Sequence, residues 1–177
     1  MLQGIELGKY KRIHYLSSPR SLDEASEFIA NTLLLSHGIR RDTLSIVRLK
    51  CCTLLAPGDR LRQLRPDYET RTGWIRAVLR GKHRGLGAVL DYEHSTIEYL
   101  MSMDIAVLIV VYYSERIWIK ETRLKEILEK DRPILVEYFD GNSVSADKGA
   151  IGAPYSPGVT GAIVNIYLDN IMVSENS

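Results

Sequence analysis

Apolar residues along the chain fall into short runs that alternate with stretches of helical spacing. Residues 10–16 form the first run, rich in Ile and Tyr, and read as a strand. Ser21-Leu22-Asp23-Glu24 is a capping-box pattern that opens a helix. Leu22, Ala25, Phe28, Ile29, Thr32 and Leu33 continue it at helical spacing, and Gly38 is its natural stop near residues 36–38. Residues 43–49 predict a strand, Pro57-Gly58 a turn and residues 61–64 a short strand. Pro66-Asp67 starts a second helix from Tyr68 to about Gly81. Tyr68, Trp74, Ile75, Val78 and Leu79 lie on one side of it, and Arg76 and Arg80 on the other. Residues 81–87 read as a basic, glycine-bearing loop.

The second half continues the alternation. Strands are expected at 86–90, 105–113 and 133–138, and helices at 93–101 and 121–130. The run 105–113 has the length and continuous apolar character of a central parallel strand. Glu121/Lys125 and Glu126/Lys130 support their helix as i,i+4 pairs. Residues 141–145 and 152–158 (GAPYSPG) are turn-rich loops. The final helix, 159–172, is nearly all apolar and is expected to be buried. Strands alternating with helices predict one α/β domain over residues 1–177, a mostly parallel sheet with helices on both faces. No internal repeat or linker interrupts it.

Composition narrows the class. At 177 residues and 45% apolar the chain can bury a sizeable core. No run approaches the roughly 20 apolar residues of a membrane span, and the first ten residues lack the pattern of a signal peptide. The two cysteines, Cys51 and Cys52, are adjacent and have neither disulfide-framework nor metal-ligand spacing. A cytoplasmic protein without a metal is the expectation. The net charge of +1 conceals an asymmetry. Residues 1–90 hold 16 Lys and Arg against 8 Asp and Glu, whereas residues 91–177 hold 7 against 14. Twelve of the 16 cations lie between Arg40 and Arg84. An arginine-rich surface of that kind attracts a polyanion through counterion release. An ordinary solvated surface with charges mixed in space accounts for the count equally well.

Ser36-His37-Gly38-Ile39-Arg40-Arg41-Asp42 concentrates polar chemistry at a helix-to-strand turn, where α/β proteins gather ligand sites. Two arginines can grip phosphates, and a carboxylate can orient one of them or accept a proton. A structural Arg–Asp pair is the plainer alternative. Residues 33–42 (LLLSHGIRRD) resemble the signature of the archaeal-type tRNA T-loop pseudouridine-54 N1-methyltransferases, which belong to the knotted SPOUT class. The resemblance continues without gaps from Gly58 to Leu79, through Leu61, Pro66-Asp67, Ile75 and Arg76. It covers about sixty residues.

The resemblance implies a SPOUT-like fold with a C-terminal trefoil knot, a homodimer, tRNA as partner and S-adenosylmethionine as cofactor. It places His37, Arg41 and Asp42 beside the target base as catalytic residues. Arg40, Arg41, Arg65, Arg76 and Arg80 would hold RNA. The implied cofactor loops are Val111-Tyr112 and Gly152-Ala153-Pro154 with Gly158. Tyr112-Tyr113 stands where the family carries a glycine loop. Two functions follow: a methyltransferase, or a non-catalytic RNA-binding relative with a degenerate cofactor pocket. Walker and GxGxxG loops are missing from the sequence, so nucleotide hydrolysis and dinucleotide redox chemistry have no support. His83, His94 and the vicinal cysteines are assigned no role.

Overall fold

A computed structural model of the chain describes residues 4–35, 38–128, 132–142 and 149–174. Strand β1 (Arg12–Leu16) is buried at every position and lies at the centre of the sheet. Helix α1 (Leu22–Leu33) starts as its capping box predicts. Ser21 Oγ accepts the Glu24 N–H at 3.1 Å, and Glu24 Oε2 accepts the Arg20 N–H at 2.6 Å. The helix ends before the expected glycine, because Leu34 turns into a small hairpin of β2 (Leu34–Leu35) and β3 (Gly38–Ile39).

Strand β4 (Thr43–Arg48) pairs parallel with β1. A tight turn closed by the Leu49 N–H on the Cys52 carbonyl leads into β5 (Thr53–Pro57), antiparallel to β4. The sequence predicted its strand at 61–64 instead; Leu61 and Leu64 are core residues on a loop. Helix α2 (Tyr68–Ala77) is capped by Asp67, whose carboxylate accepts the Thr70 N–H. It passes through a wide turn (Val78–Lys82) kinked at Gly81, where φ is +94°, into α3 (His83–Leu86). The expected loop at 81–87 is therefore largely helical. Strand β6 (Val89–Asp91) follows.

Helix α4 (Thr96–Met101) begins three residues later than expected. The Asp91 carboxylate holds the preceding turn by accepting the N–H groups of Glu93 and Thr96. Strand β7 (Ala106–Tyr112), β8 (Trp118–Ile119), α5 (Glu121–Leu128), β9 (Ile134–Asp140), β10 (Ile151–Ala153) and α6 (Pro157–Ser174) complete the chain.

The sheet order is β6-β5-β4-β1-β9-β7-β10-β8. The run β4-β1-β9-β7-β10 is parallel throughout, and antiparallel strands flank it on both sides. One face packs with α1, α2, α5 and α6 into the larger core. The other is covered by the turn Leu7–Lys9 and by α4. Helix α6 lies along α1 and buries Thr160, Val164, Asn165 and Leu168 there. Its opposite side is open: Ile166 is 56% exposed, with Val159 and Tyr167 at 37%. The expectation that this helix is buried is thus corrected, since α1 and the sheet cover only one of its sides.

Candidate functional site: two ends of one parallel sheet

Register fixes where the sequence-predicted residues lie. Thr43, Arg12, Ile134 and Ala106 stand side by side at one end of the parallel strands. Tyr112, Asp140 and Ala153 mark the other end. Six residues of β7 separate the two levels, about 20 Å at the usual strand rise. Arg40, Arg41 and Asp42 precede β4 at the first end. Val111, Tyr112, Gly152, Ala153, Pro154 and Gly158 are at the second. One chain does not bring the two groups together.

The first end is a chain of paired polar groups. Arg40 binds both oxygens of Asp169 on α6, at 3.0 and 2.8 Å, and its side chain is only 13% exposed. Arg12 reaches the same carboxylate at 2.7 Å. Burial works to raise the Asp169 pKa, but the hydrogen bonds from Arg40 and Arg12 outweigh it and hold the carboxyl below its usual range. Deeper in, Asn165 Oδ1 faces Arg12 and His14 Nε2, its amide donates to the Thr32 carbonyl, and His14 Nδ1 meets the Tyr138 hydroxyl at 2.8 Å. Complete burial, aided by Arg12, pushes the His14 pKa down to about 3, so this imidazole is neutral.

Around this chain the turn is tightly built. A Cβ on Gly58 would sit 1.9 Å from the Arg40 carbonyl oxygen, so only glycine permits the approach. The Asp42 carboxylate accepts the Thr43 hydroxyl, and its backbone carbonyl accepts the N–H groups of Lys11 and Arg12. Arg41 is exposed. His37 lies outside the described residues.

Arg65, Arg76 and Arg80 are exposed, as are Arg62, Lys82 and Arg84. Among the described residues their side chains make no salt bridge or hydrogen bond. Arg71 behaves differently, pairing with Asp23 at 3.3 Å and lying over the Tyr68 ring. The amphipathic reading of α2 holds in part: Trp74, Ile75 and Val78 are buried, Leu79 is half-buried and the cations face out, but Tyr68 is exposed.

At the second end three loops are stitched together. The N–H groups of Gly141, Tyr113 and Ser114 donate to the carbonyls of Tyr112, Tyr155 and Ala153. Tyr112 is buried, and burial raises its pKa to about 12. Tyr113 adopts φ +52°, a left-handed conformation costly for a tyrosine. Arg20 stacks on its ring at 4.1 Å and pairs with Asp140 at 2.6 Å, and the Tyr113 hydroxyl donates to Glu24 at 3.1 Å. Gly152 lies under the Trp118 indole, with a Cβ position 2.2 Å from that ring. Gly158 abuts Glu27, which also accepts the Ser156 hydroxyl.

Sequence reasoning missed two features. The first is the His14–Asn165 chain. The second is a groove of about 570 Å³ at the carboxyl ends of β1 and β4, lined by Ser17, Ser18, Leu22, Lys50, Cys51 and Leu79 among others. Ser17-Ser18-Pro19, a turn signal directly after a predicted strand, was the available hint for the groove. Among the described residues no group of three or more His, Cys, Asp or Glu could hold a metal ion. No described helix is long and apolar enough to cross a membrane. No protein-family model matches the chain, and no curated protein matches it.

Proposed function

We propose that the protein binds tRNA as a homodimeric relative of the SPOUT methyltransferases, through the arginine face of α2, its kinked extension and α3. The uncompensated cations carry this reading. Six side chains (Arg62, Arg65, Arg76, Arg80, Lys82 and Arg84) present charge with no internal partner among the described residues, which is what a phosphate-binding surface requires. At the RRD turn Arg41 is exposed, while Arg40 is held by Asp169 and positions the turn. The groove beside Leu79 and Lys50 offers apolar walls for an unstacked base.

A knot of the kind the resemblance implies needs the last helix to cross back over earlier parts of the sheet. The outer position of β10 and the packing of α6 on α1 are in keeping with that. Helix α6 also supports the dimer. Val159, Ile163, Ile166 and Asn170 follow one stripe along it, half-buried to exposed. Pro157 adjoins the stitched loops and Asp169 adjoins Arg40, about 18 Å apart along the helix axis. Antiparallel pairing of two such stripes would set the RRD turn of one protomer beside residues 152–158 of its partner. A dimer of this form would join what one chain holds apart.

Methyl transfer is the second reading, favoured by the likeness of residues 33–42 to the pseudouridine N1-methyltransferases. S-adenosylmethionine would supply the methyl group, and Asp42 would accept the N–H proton of the base. Against it stand the occupants of the second end: the Trp118 ring over Gly152, Glu27 against Gly158, and the Arg20–Tyr113–Glu24 stack. A cofactor would have to displace that stack.

Calorimetry with S-adenosylmethionine, beside salt-dependent tRNA binding, separates the readings. Binding of tRNA without heat from millimolar cofactor supports RNA recognition alone. Heat together with methyl incorporation into tRNA establishes the enzyme.

A further inference from the structure

Among the described residues, the sheet face away from α1 and α6 is only partly covered. Leu135 of β9 belongs to the smaller core, and strand alternation puts Glu137 and Phe139 on the same face. Ile105 packs against that core, and Val107 and Ile109 of β7 follow it on that face. Val107, Ile109, Glu137 and Phe139 are all half-buried at mid-sheet, and the three apolar residues belong to neither core. Pairing sets Ile109 beside Glu137 and Glu137 beside Tyr15. The patch is bounded on one side by Leu135 and on the other by Val111, which Gly149 approaches closely.

Glu137 is the anomaly in this patch. Among the described residues its carboxylate has no hydrogen bond or ion pair, and burial raises its pKa. Arg48, which follows Ile46 on the same face, is hydrogen-bonded to Tyr15. A carboxylate set among apolar neighbours without a counter-charge costs stability that an incoming cation would recover.

We propose that Val107, Ile109, Glu137 and Phe139 form a docking surface for a second protein, whose apolar helix carries one Lys or Arg to meet Glu137. Charge selects this occupant. A second copy of the chain packed on the same face would oppose two Glu137 carboxylates, and RNA would be repelled by the one. A helix is the element that ordinarily covers an open α/β sheet face.

The full chain would be titrated with a fluorescent 18-residue amphipathic helix bearing one Lys at the centre of its apolar stripe, and with versions carrying Leu or Glu there. The surface predicts micromolar binding of the Lys peptide and at least about tenfold weaker binding of the Glu peptide. Glu137→Gln should erase that preference while leaving the fold unchanged, and Ile109→Asp should abolish binding. No binding of the Lys peptide overturns the proposal, as does equal binding of Lys and Glu peptides. Self-association that Ile109→Asp relieves overturns it too, since the face would then pair with itself. tRNA affinity is unmoved by these variants, so this test is separate from the RNA reading.

Discussion

The two ends of the parallel sheet are built on opposite plans. At the first end, charges are buried and paired: Arg12 and Arg40 share Asp169, and His14 is held neutral beneath them. At the second end, the pairs are near the surface and the backbone is strained. Arg20 is exposed, Asp140 is at the rim, and Tyr113 sits in a left-handed conformation. Buried networks of the first kind resist rearrangement because breaking one member strands another. Exposed pairs over strained backbone contribute little and can open. The first end therefore fixes α6 and the RRD turn, and the second depends less on its charged pairs.

The largest effect that would break this contrast is at Asp169. Asp169→Ala removes the carboxylate that Arg12 and Arg40 share, and chemical unfolding should show a loss of roughly 2–4 kcal/mol. That is below the full buried-pair value, because the Asp169 side chain is 38% exposed. Loss of less than about 0.5 kcal/mol, the range of an ordinary surface change, would show that the network holds nothing. The pH dependence comes next. His14 is depressed from 6.5 to about 3 in the folded state, so folding keeps it neutral while the unfolded chain takes up a proton. Its contribution is present above pH 6.5 and is lost as pH falls from 6.5 towards 3. Asp169, also depressed, adds a loss in the same direction below its unfolded value of 3.8. Urea midpoints measured from pH 7 to pH 4 should fall, and His14→Gln should flatten that slope. An unchanged slope would place the acid sensitivity elsewhere.

The second end should respond weakly in stability. Arg20→Ala should leave the unfolding midpoint where it is. Tyr113→Gly removes the ring under Arg20 but relieves the left-handed strain, for a net change within about 1 kcal/mol. If methyl transfer is the function, this change should strengthen S-adenosylmethionine binding, as read by calorimetry. A destabilisation of several kcal/mol would mean that the second end is as fixed as the first.

Much of this contrast was hidden from the sequence. The elements with strong local signals were legible: the capping box of α1, the apolar runs of β1 and β7, and the Asp67 cap of α2. Strand β5 was missed because Thr53–Pro57 offers five residues ending in proline, too short for periodicity to resolve. Residues 81–87 read as a loop because Gly81 and Gly87 are there, whereas they kink and terminate a helical path. The RRD motif drew attention to this turn but gave no sign that Asp169, 129 residues away, engages Arg40. His14 looked like one polar residue in a strand, because its partners Asn165 and Tyr138 come from α6 and β9. Long-range pairing of this kind leaves no local trace. The separation of the RRD turn from residues 152–158 likewise depends on strand order.

The proposed RNA-binding role of the arginine face is tested most directly by the salt dependence of tRNA binding, in the intact protein and in Arg76→Ala/Arg80→Ala. The intact protein should bind tRNA with affinity that falls steeply as salt rises. The double variant should bind more weakly with unchanged stability. Its slope of log affinity against log salt should be shallower by roughly 1.4–1.8, about 0.7–0.9 for each phosphate that is no longer neutralised. No tRNA binding at low salt, or a double variant with the same slope as the intact protein, would contradict the RNA-binding role of this face.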